Sequence, residues 1–87
     1  MTTILTIRGW RIFFYSNEEE PIYVHAQKGD AECRIRLHFV RFDLAEEWSH
    51  GLTPRLRREI RQIIFEHFDM ICDEWIRFFG ADGDDEG

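Results

Sequence analysis

The chain has 87 residues and a mass of 10.5 kDa, which suits one domain. Hydrophobic residues make up 44% and charged residues 32%, a composition typical of a globular protein rather than a disordered one. No apolar run approaches the roughly 20 residues that cross a bilayer. The first residues lack the basic flank and the apolar stretch of a signal peptide. We therefore expect a cytoplasmic protein without membrane contact, whose single domain covers residues 1–80.

The formal net charge of −6 is unevenly distributed. Asp82, Asp84, Asp85 and Glu86 lie in the Gly-rich segment 81–87, which has nothing to bury and is predicted to be a disordered tail. Without those four of the 17 acidic residues, 13 remain against 11 basic residues, so the net charge is −2. This balance excludes a uniformly basic nucleic-acid-binding protein, although it allows a local basic patch.

The first half of the chain is predicted to form strands. Residues 4–7 and 10–15 are rich in β-branched and aromatic side chains and flank a short turn, which is the pattern of a hairpin. Residues 22–27 and 32–39 alternate between apolar and polar side chains, which predicts a second hairpin. After Phe39 the apolar side chains move from odd to even positions, and a bulge or a new short strand would explain this change.

A long helix is predicted in the second half. Residues 43–52 are ambiguous, but Thr53-Pro54 makes a good helix start, because Thr caps free amides and Pro fits the first helical position. Nothing interrupts the pattern before Gly80, so Pro54–Phe79 is expected to form one helix of about 39 Å at 1.5 Å per residue. The predicted fold class is α+β, a small antiparallel sheet of about four strands packed against one long C-terminal helix.

Three faces of this helix can be separated at about 100° per residue. One apolar stripe is expected to lie on the sheet, and the opposite face is polar. The third face begins with arginines, which near a helix N-terminus favour an acidic partner, and continues with more apolar side chains than one packing partner can bury. Either the N-terminal hairpin covers this face or a second chain does. The predicted partner-binding residues on it are Arg57, Arg58, Arg61, Phe65, Phe68, Trp75, Ile76 and Phe79.

The sheet face turned away from the helix is expected to carry aromatic and basic side chains. Aromatic rings interleaved with arginine suit the stacking and phosphate contacts of single-stranded RNA. A histidine among them could act as acid or base toward a ribose 2′-hydroxyl while arginine stabilises the developing negative charge. A protein contact and a plain solvated face are the alternatives. The predicted members are Tyr23, His25, Arg34, Arg36 and His38, joined by Phe13 and Tyr15 if the odd residues of their strand point outward.

The sequence predicts neither a cofactor nor a metal site. His25 and His38 fall on one sheet face but about 13 Å apart at 3.3 Å per residue. Two imidazoles on one zinc ion each lie about 2.1 Å from it, so this pair fails without a third element folding over. Cys33 and Cys72 share no motif spacing and are expected to be core thiols. The chain also lacks a Gly-rich phosphate loop and a nucleophile elbow.

Several short motifs are spread along the chain: Asn17-Glu18, Pro21, Tyr23-Val24-His25, Gly29-Asp30-Ala31, Trp75 and Phe79-Gly80. Together they resemble the motifs of one family, the bacterial and archaeal domain of unknown function 4160 (DUF4160). The resemblance runs from the opening hairpin to Gly80 and covers nearly the whole chain. Members close with a long helix that ends in Trp and a Phe-Gly pair.

The resemblance implies a genomic setting more than a reaction. Members are often encoded beside small helix-turn-helix proteins, in pairs that resemble toxin–antitoxin operons. Glu19 and Tyr23 stand where the family has histidines, so a site of three imidazoles does not carry over and only His25 matches. The predicted function is a non-enzymatic protein-interaction component of such a two-gene module, which forms a homodimer or binds a small partner protein through the long helix. The alternative is an RNA-directed toxin that uses His25, Tyr23, Arg34 and Arg36.

Overall fold

The computed structural model describes residues 2–15, 22–38 and 40–84, so residues 1, 16–21, 39 and 85–87 lie outside it. Five strands precede two helices. They are β1 (Thr2–Ile7), β2 (Trp10–Phe14), β3 (Ile22–Lys28), β4 (Ala31–His38), β5 (Asp43–His50), α1 (Pro54–Glu66) and α2 (Phe68–Asp84). The strands form one antiparallel sheet in sequential order, so every neighbouring pair is a hairpin.

The predicted α+β class is confirmed, and the sheet has five strands rather than about four. The additional strand is β5, which forms from the segment that the sequence pattern left ambiguous. A new strand also explains the change of alternation after Phe39, because β4 ends at His38 and β5 begins at Asp43. A bulge is present as well, but it lies further along, where the pairing of β5 with β4 shifts by one residue at Glu47.

The predicted single helix is interrupted at His67. This residue has φ of −117° and ψ of 23°, outside the helical range, and it separates α1 from α2. Its backbone N–H lies 3.1 Å from the Ile63 oxygen and 3.2 Å from the Ile64 oxygen, and its Nδ1 lies 2.9 Å from the Ile63 oxygen. The imidazole therefore competes with the backbone for one carbonyl at the end of α1. Beyond it, α2 continues past Gly80, the predicted end, to Asp84.

Helix α1 begins as the sequence predicts. Thr53 is the N-cap residue, and its Oγ1 accepts a hydrogen bond from the Leu56 N–H at 3.2 Å. Pro54 follows as the first helical residue. The first turn contains no acidic residue and does contain Arg55. No negative side chain in that turn therefore compensates the positive end of the helix dipole.

The core lies between one face of the sheet and the two helices. Cys33 and Cys72 are buried there as free thiols, as expected. Burial raises the pKa of Cys33 to about 12 and that of Cys72 to about 11, so neither is a thiolate at neutral pH. The buried cluster consists of Trp10, Ile12, Val24, Ala26, Cys33, Ile35, Leu37 and Leu44 from the sheet and Ile60, Ile63, Ile64, Phe68, Ile71 and Cys72 from the helices.

Polar contacts bind α1 to the sheet on two sides. Glu59 Oε1 accepts hydrogen bonds from Trp10 Nε1 at 2.8 Å and from Lys28 Nζ at 2.9 Å. Arg57 donates through Nε and Nη2 to the Glu46 carboxylate of β5, at 2.7 and 3.2 Å. These hydrogen bonds hold the pKa of the Glu59 carboxyl and that of the Glu46 carboxyl below the usual value. Helix α1 is thus bound to β2 and β3 on one side and to β5 on the other.

We predict that acid destabilises the fold partly through Glu59. Its pKa is lower in the folded than in the unfolded chain, because the folded carboxylate accepts bonds from Trp10 and Lys28. The resulting stabilisation is present above the unfolded pKa and is lost as pH falls through the folded pKa. Glu59→Gln should therefore lower stability at neutral pH and reduce the further loss on acidification to about pH 3. Urea unfolding at both pH values measures this, with Glu66→Gln as the control; equal pH dependence in both variants would contradict it.

Candidate functional site

The sheet face away from the helices carries a row of side chains that crosses four strands. The registers of β2 with β3, β3 with β4 and β4 with β5 place Phe13, His25, Arg34 and Trp48 opposite one another in turn. Residues paired directly across antiparallel strands point to the same face of a sheet. These four side chains therefore form one continuous row, which is the centre of the candidate site.

Aromatic rings enclose His25 within this row. The His25 ring stacks on Phe13, with centroids 5.4 Å apart and planes at 16°, and the Tyr15 ring meets it edge-on at 4.8 Å. His25 is 9% exposed and Phe13 only 2%, although both lie on the side of the sheet opposite the helices. The expectation that Phe13 and Tyr15 join this face is confirmed. Aromatic packing on two sides thus restricts the orientation of the imidazole.

The two predicted arginines of β4 both lie on this face but make different contacts. The Arg34 guanidinium carbon lies 3.9 Å from the centre of the Tyr23 ring, a close cation–π contact. Arg36 is the residue directly opposite Tyr23, and its buried Nε has no hydrogen-bond partner among the described residues. One face of the Tyr23 ring is therefore occupied by Arg34. Tyr23 positions that guanidinium and does not have both ring faces available for a nucleobase.

An open cavity of about 330 Å³ lies beside the row. Its lining combines an imidazole, a guanidinium, two carboxylates and two aromatic rings. Tyr15 and Trp48 are about half exposed, at 41% and 50%, and flank the cavity. The sequence pattern identified neither carboxylate nor Trp48 as a site residue. The lining residues are Tyr15, His25, Glu32, Arg34, Glu47 and Trp48.

Glu47 reaches the cavity because of the bulge in β5. Trp48 lies opposite Arg34, and Glu46 lies opposite Ile35, which leaves Glu47 as the additional residue between them. With regular pairing Glu47 would lie opposite Ile35 and face the core. Bulges are frequent beside functional sites, where they redirect a side chain. Here the bulge sends Glu47 to the cavity and leaves Glu46 on the side of the helices.

The cavity does not include every predicted group. His38 lies opposite Asp43 at the far end of β4 and does not line it. In the part of the chain that the structure describes, no cluster of three or more His, Cys, Asp and Glu side chains could hold a metal ion. The groups that do meet can move a proton, through His25 and a carboxylate, and can bind an anion, through Arg34.

The predicted partner-binding face of the helices is only partly on the surface. Phe68 and Trp75 are 2% and 4% exposed, so both belong to the core and the expectation of a surface position does not hold for them. The turn between β4 and β5 covers Phe68, because the Phe42 ring lies 4.6 Å from it. Arg57 is engaged by Glu46. Of the remaining residues, Arg58, Arg61 and Ile76 are exposed, Phe65 is half-buried, and the Phe79 side chain lies outside the described part of the chain.

Comparison with known proteins identifies the family. The family model described as "Domain of unknown function (DUF4160)" matches residues 9–76, which is most of the chain. The chain belongs to this family. The DUF4160 match runs from β2 into α2 and includes every residue that lines the cavity. The resemblance found in the sequence is thereby confirmed.

The other comparisons add no relative. No curated protein and no solved structure matches this DUF4160 chain significantly. Among the described residues, neither helix is long and apolar enough to cross a membrane.

We predict that Phe13→Ala destabilises the protein by about 3–5 kcal/mol, as for other buried aromatic residues, even though Phe13 is not in the core beneath the helices. The reason is that its ring is almost fully buried and supports the His25 ring. Tyr15→Ala, on the same strand but 41% exposed, serves as the control and should cost clearly less. Urea or thermal unfolding measures both. Similar losses in the two variants would show that Phe13 is not sheltered on this face.

Proposed function

We propose that this protein acts on single-stranded RNA and that the cavity beside His25 is its active site. What carries the proposal is the meeting of His25, Arg34 and Glu47 in one open cavity flanked by exposed Tyr15 and Trp48. Exposed aromatic rings stack on unpaired bases, and arginine binds the phosphates between them. A concave site with convergent ionisable groups is also where catalysis is usually found.

RNA cleavage without a metal ion needs a base, an acid and a cation, and the cavity offers each. The base removes the proton of a ribose 2′-hydroxyl, whose oxygen then attacks the adjacent phosphorus. The bond from phosphorus to the next 5′-oxygen breaks, the acid protonates that oxygen, and the products carry a 2′,3′-cyclic phosphate and a 5′-hydroxyl. We assign the base to the carboxylate of Glu47 or Glu32, the acid to the imidazolium of His25, and stabilisation of the charged phosphorane to Arg34.

The charge of the protein favours local rather than general RNA binding. A net charge of −6 gives little attraction for a polyanion as a whole, so affinity has to come from individual contacts. Arg34 and Arg36 supply the cations on the outer face, and Tyr15 and Trp48 supply exposed rings. The expected substrate is therefore a short unpaired segment rather than a duplex.

We predict that the protein cleaves a single-stranded RNA oligonucleotide and leaves DNA of the same sequence intact, because DNA lacks the attacking 2′-hydroxyl. His25→Ala should lower the rate by about 100-fold or more, as expected for loss of a general acid. His38→Ala is the matched control, since His38 lies on β4 outside the cavity lining and should keep full activity. Denaturing gels give the rates, and mass spectrometry of the products identifies the cyclic phosphate.

Growth provides a second measurement of the same proposal. Expression of the wild-type protein in a bacterial host should arrest growth, and His25→Ala should relieve the arrest at equal protein level. A wild-type protein that neither binds nor cleaves any RNA offered, and that does not slow growth, would refute the RNA function. Circular dichroism of both histidine variants excludes misfolding as the cause.

A second candidate is an interaction role without catalysis. We propose it as a cytoplasmic component of a two-gene module that resembles toxin–antitoxin pairs, in which the protein binds itself or a small partner protein through its helices. Its support is that Arg58, Arg61 and Ile76 stay exposed on the helices and that Phe42 is exposed as well, a combination of basic and apolar surface. Light scattering of the purified protein and co-purification from the native host test this role. A lone monomer in both measurements would contradict it.

A further inference from the structure

One side of the two helices carries a line of residues spaced three or four apart. Such spacing keeps side chains on one helical face at about 100° per residue. The backbone ladder also continues across the break, since His67 N–H bonds to the Ile63 oxygen and Ile71 N–H bonds to the His67 oxygen at 2.9 Å. Phe65 is half-buried and the other members are exposed. This line, the helix seam, consists of Arg58, Arg61, Phe65, Asp69, Asp73 and Ile76.

The middle of the helix seam is apolar. The Phe42 ring, from the turn between β4 and β5, lies 5.5 Å from the Phe65 ring and is itself 53% exposed. Phe42 has φ of 51°, in the left-handed region that a bulky residue rarely adopts. Val40 in the same turn is 93% exposed. An exposed apolar patch held by a strained residue is typical of a surface that another molecule covers.

The charges of the helix seam are divided about Phe65. Arg61 and Arg58 precede it by four and seven residues, and Asp69 and Asp73 follow it by four and eight. Among the described residues, neither of these two arginines forms an ion pair. The α1 half is therefore positive, which the helix dipole reinforces near its N-terminus, and the α2 half is negative.

We propose that the helix seam is the interface of a two-fold symmetric homodimer, in which the helices of two copies pack antiparallel with Phe65 near the axis. A two-fold axis places residues on opposite sides of it against each other. Arg61 of one copy then faces Asp69 of the other, and Arg58 faces Asp73. A parallel arrangement would bring like charges together instead. The charge pattern of the helix seam is complementary to the same seam running in the opposite direction. A second copy of this chain therefore fits it.

The length of the helix seam suits a stable dimer. From Arg58 to Ile76 it spans about 27 Å at 1.5 Å per residue. Stable interfaces bury about 800 Å² on each partner around an apolar centre with a polar rim. Phe42, Phe65 and Ile76 provide the apolar part, and the charged residues provide the rim. This inference rests on the interaction role proposed above and does not depend on RNA cleavage, because the cavity lies on the other face of the sheet.

Light scattering or sedimentation velocity at about 100 µM protein tests the dimer. The wild-type mass is expected near twice 10.5 kDa. Arg61→Glu and Asp69→Arg should each weaken association about tenfold or more, because each creates two like-charge contacts across the axis. The double variant R61E/D69R should restore the dimer, since the two ion pairs between positions 61 and 69 of the two copies re-form with their charges exchanged. Residues 61 and 69 lie about 12 Å apart along the helix, so this rescue cannot occur within one chain.

Arg55→Glu is the matched control, because it makes the same charge change at an exposed α1 position outside the helix seam and should leave the mass unchanged. A monomeric wild type overturns the homodimer, as does a dimer that Arg61→Glu leaves intact. Two disruptive single variants without rescue in the double variant overturn the antiparallel pairing. A monomer that co-purifies with another protein refutes the homodimer while supporting the interaction role, whereas a monomer that binds nothing refutes both.

Discussion

Both helices pack against the same face of the five-stranded sheet, and the opposite face has to shelter its own apolar side chains. Phe13 shows how this is done. Its ring is 2% exposed without belonging to the core under the helices, because the Arg11 guanidinium lies 4.8 Å above it and the Tyr15 and His25 rings lie 5.6 and 5.4 Å away. The residues that stabilise this face are thus the residues that form the candidate site. Its stability and its chemistry depend on the same contacts.

The contacts between α1 and the sheet determine which side chains of the helices are exposed. Glu59 is bonded to Trp10 and Lys28 on one side, and Arg57 is bonded to Glu46 on the other. Bonds on both sides favour one orientation of α1 on the sheet. Which side chains remain on the surface then follows from helical geometry, and the helix seam is exposed because it lies away from the buried residues of both helices.

Local patterns in the sequence predicted the elements that depend on local physics. The alternation in β3 and β4 placed His25 and Arg34 on one face correctly, and Thr53 predicted the start of α1. The break at His67 could not be predicted in the same way, because neither Gly nor Pro marks it and a local sequence pattern does not reveal the contact of its imidazole with a carbonyl. Glu47 was missed for a related reason: β5 does not alternate regularly, and the bulge that reorients this residue is a property of strand pairing.

The bulge in β5 links the two surfaces that the proposals concern. Glu46 and Glu47 are consecutive residues, yet the first bonds to Arg57 of α1 and the second lines the cavity. The backbone around a bulge is less constrained by ladder hydrogen bonds than the rest of a strand. The ion pair between Glu46 and Arg57 therefore lies next to Glu47, at the point where the ladder is interrupted. Arg57 directly precedes Arg58 of the helix seam, so the bulge lies between one of the two carboxylates proposed as the base and the helix that begins the proposed interface.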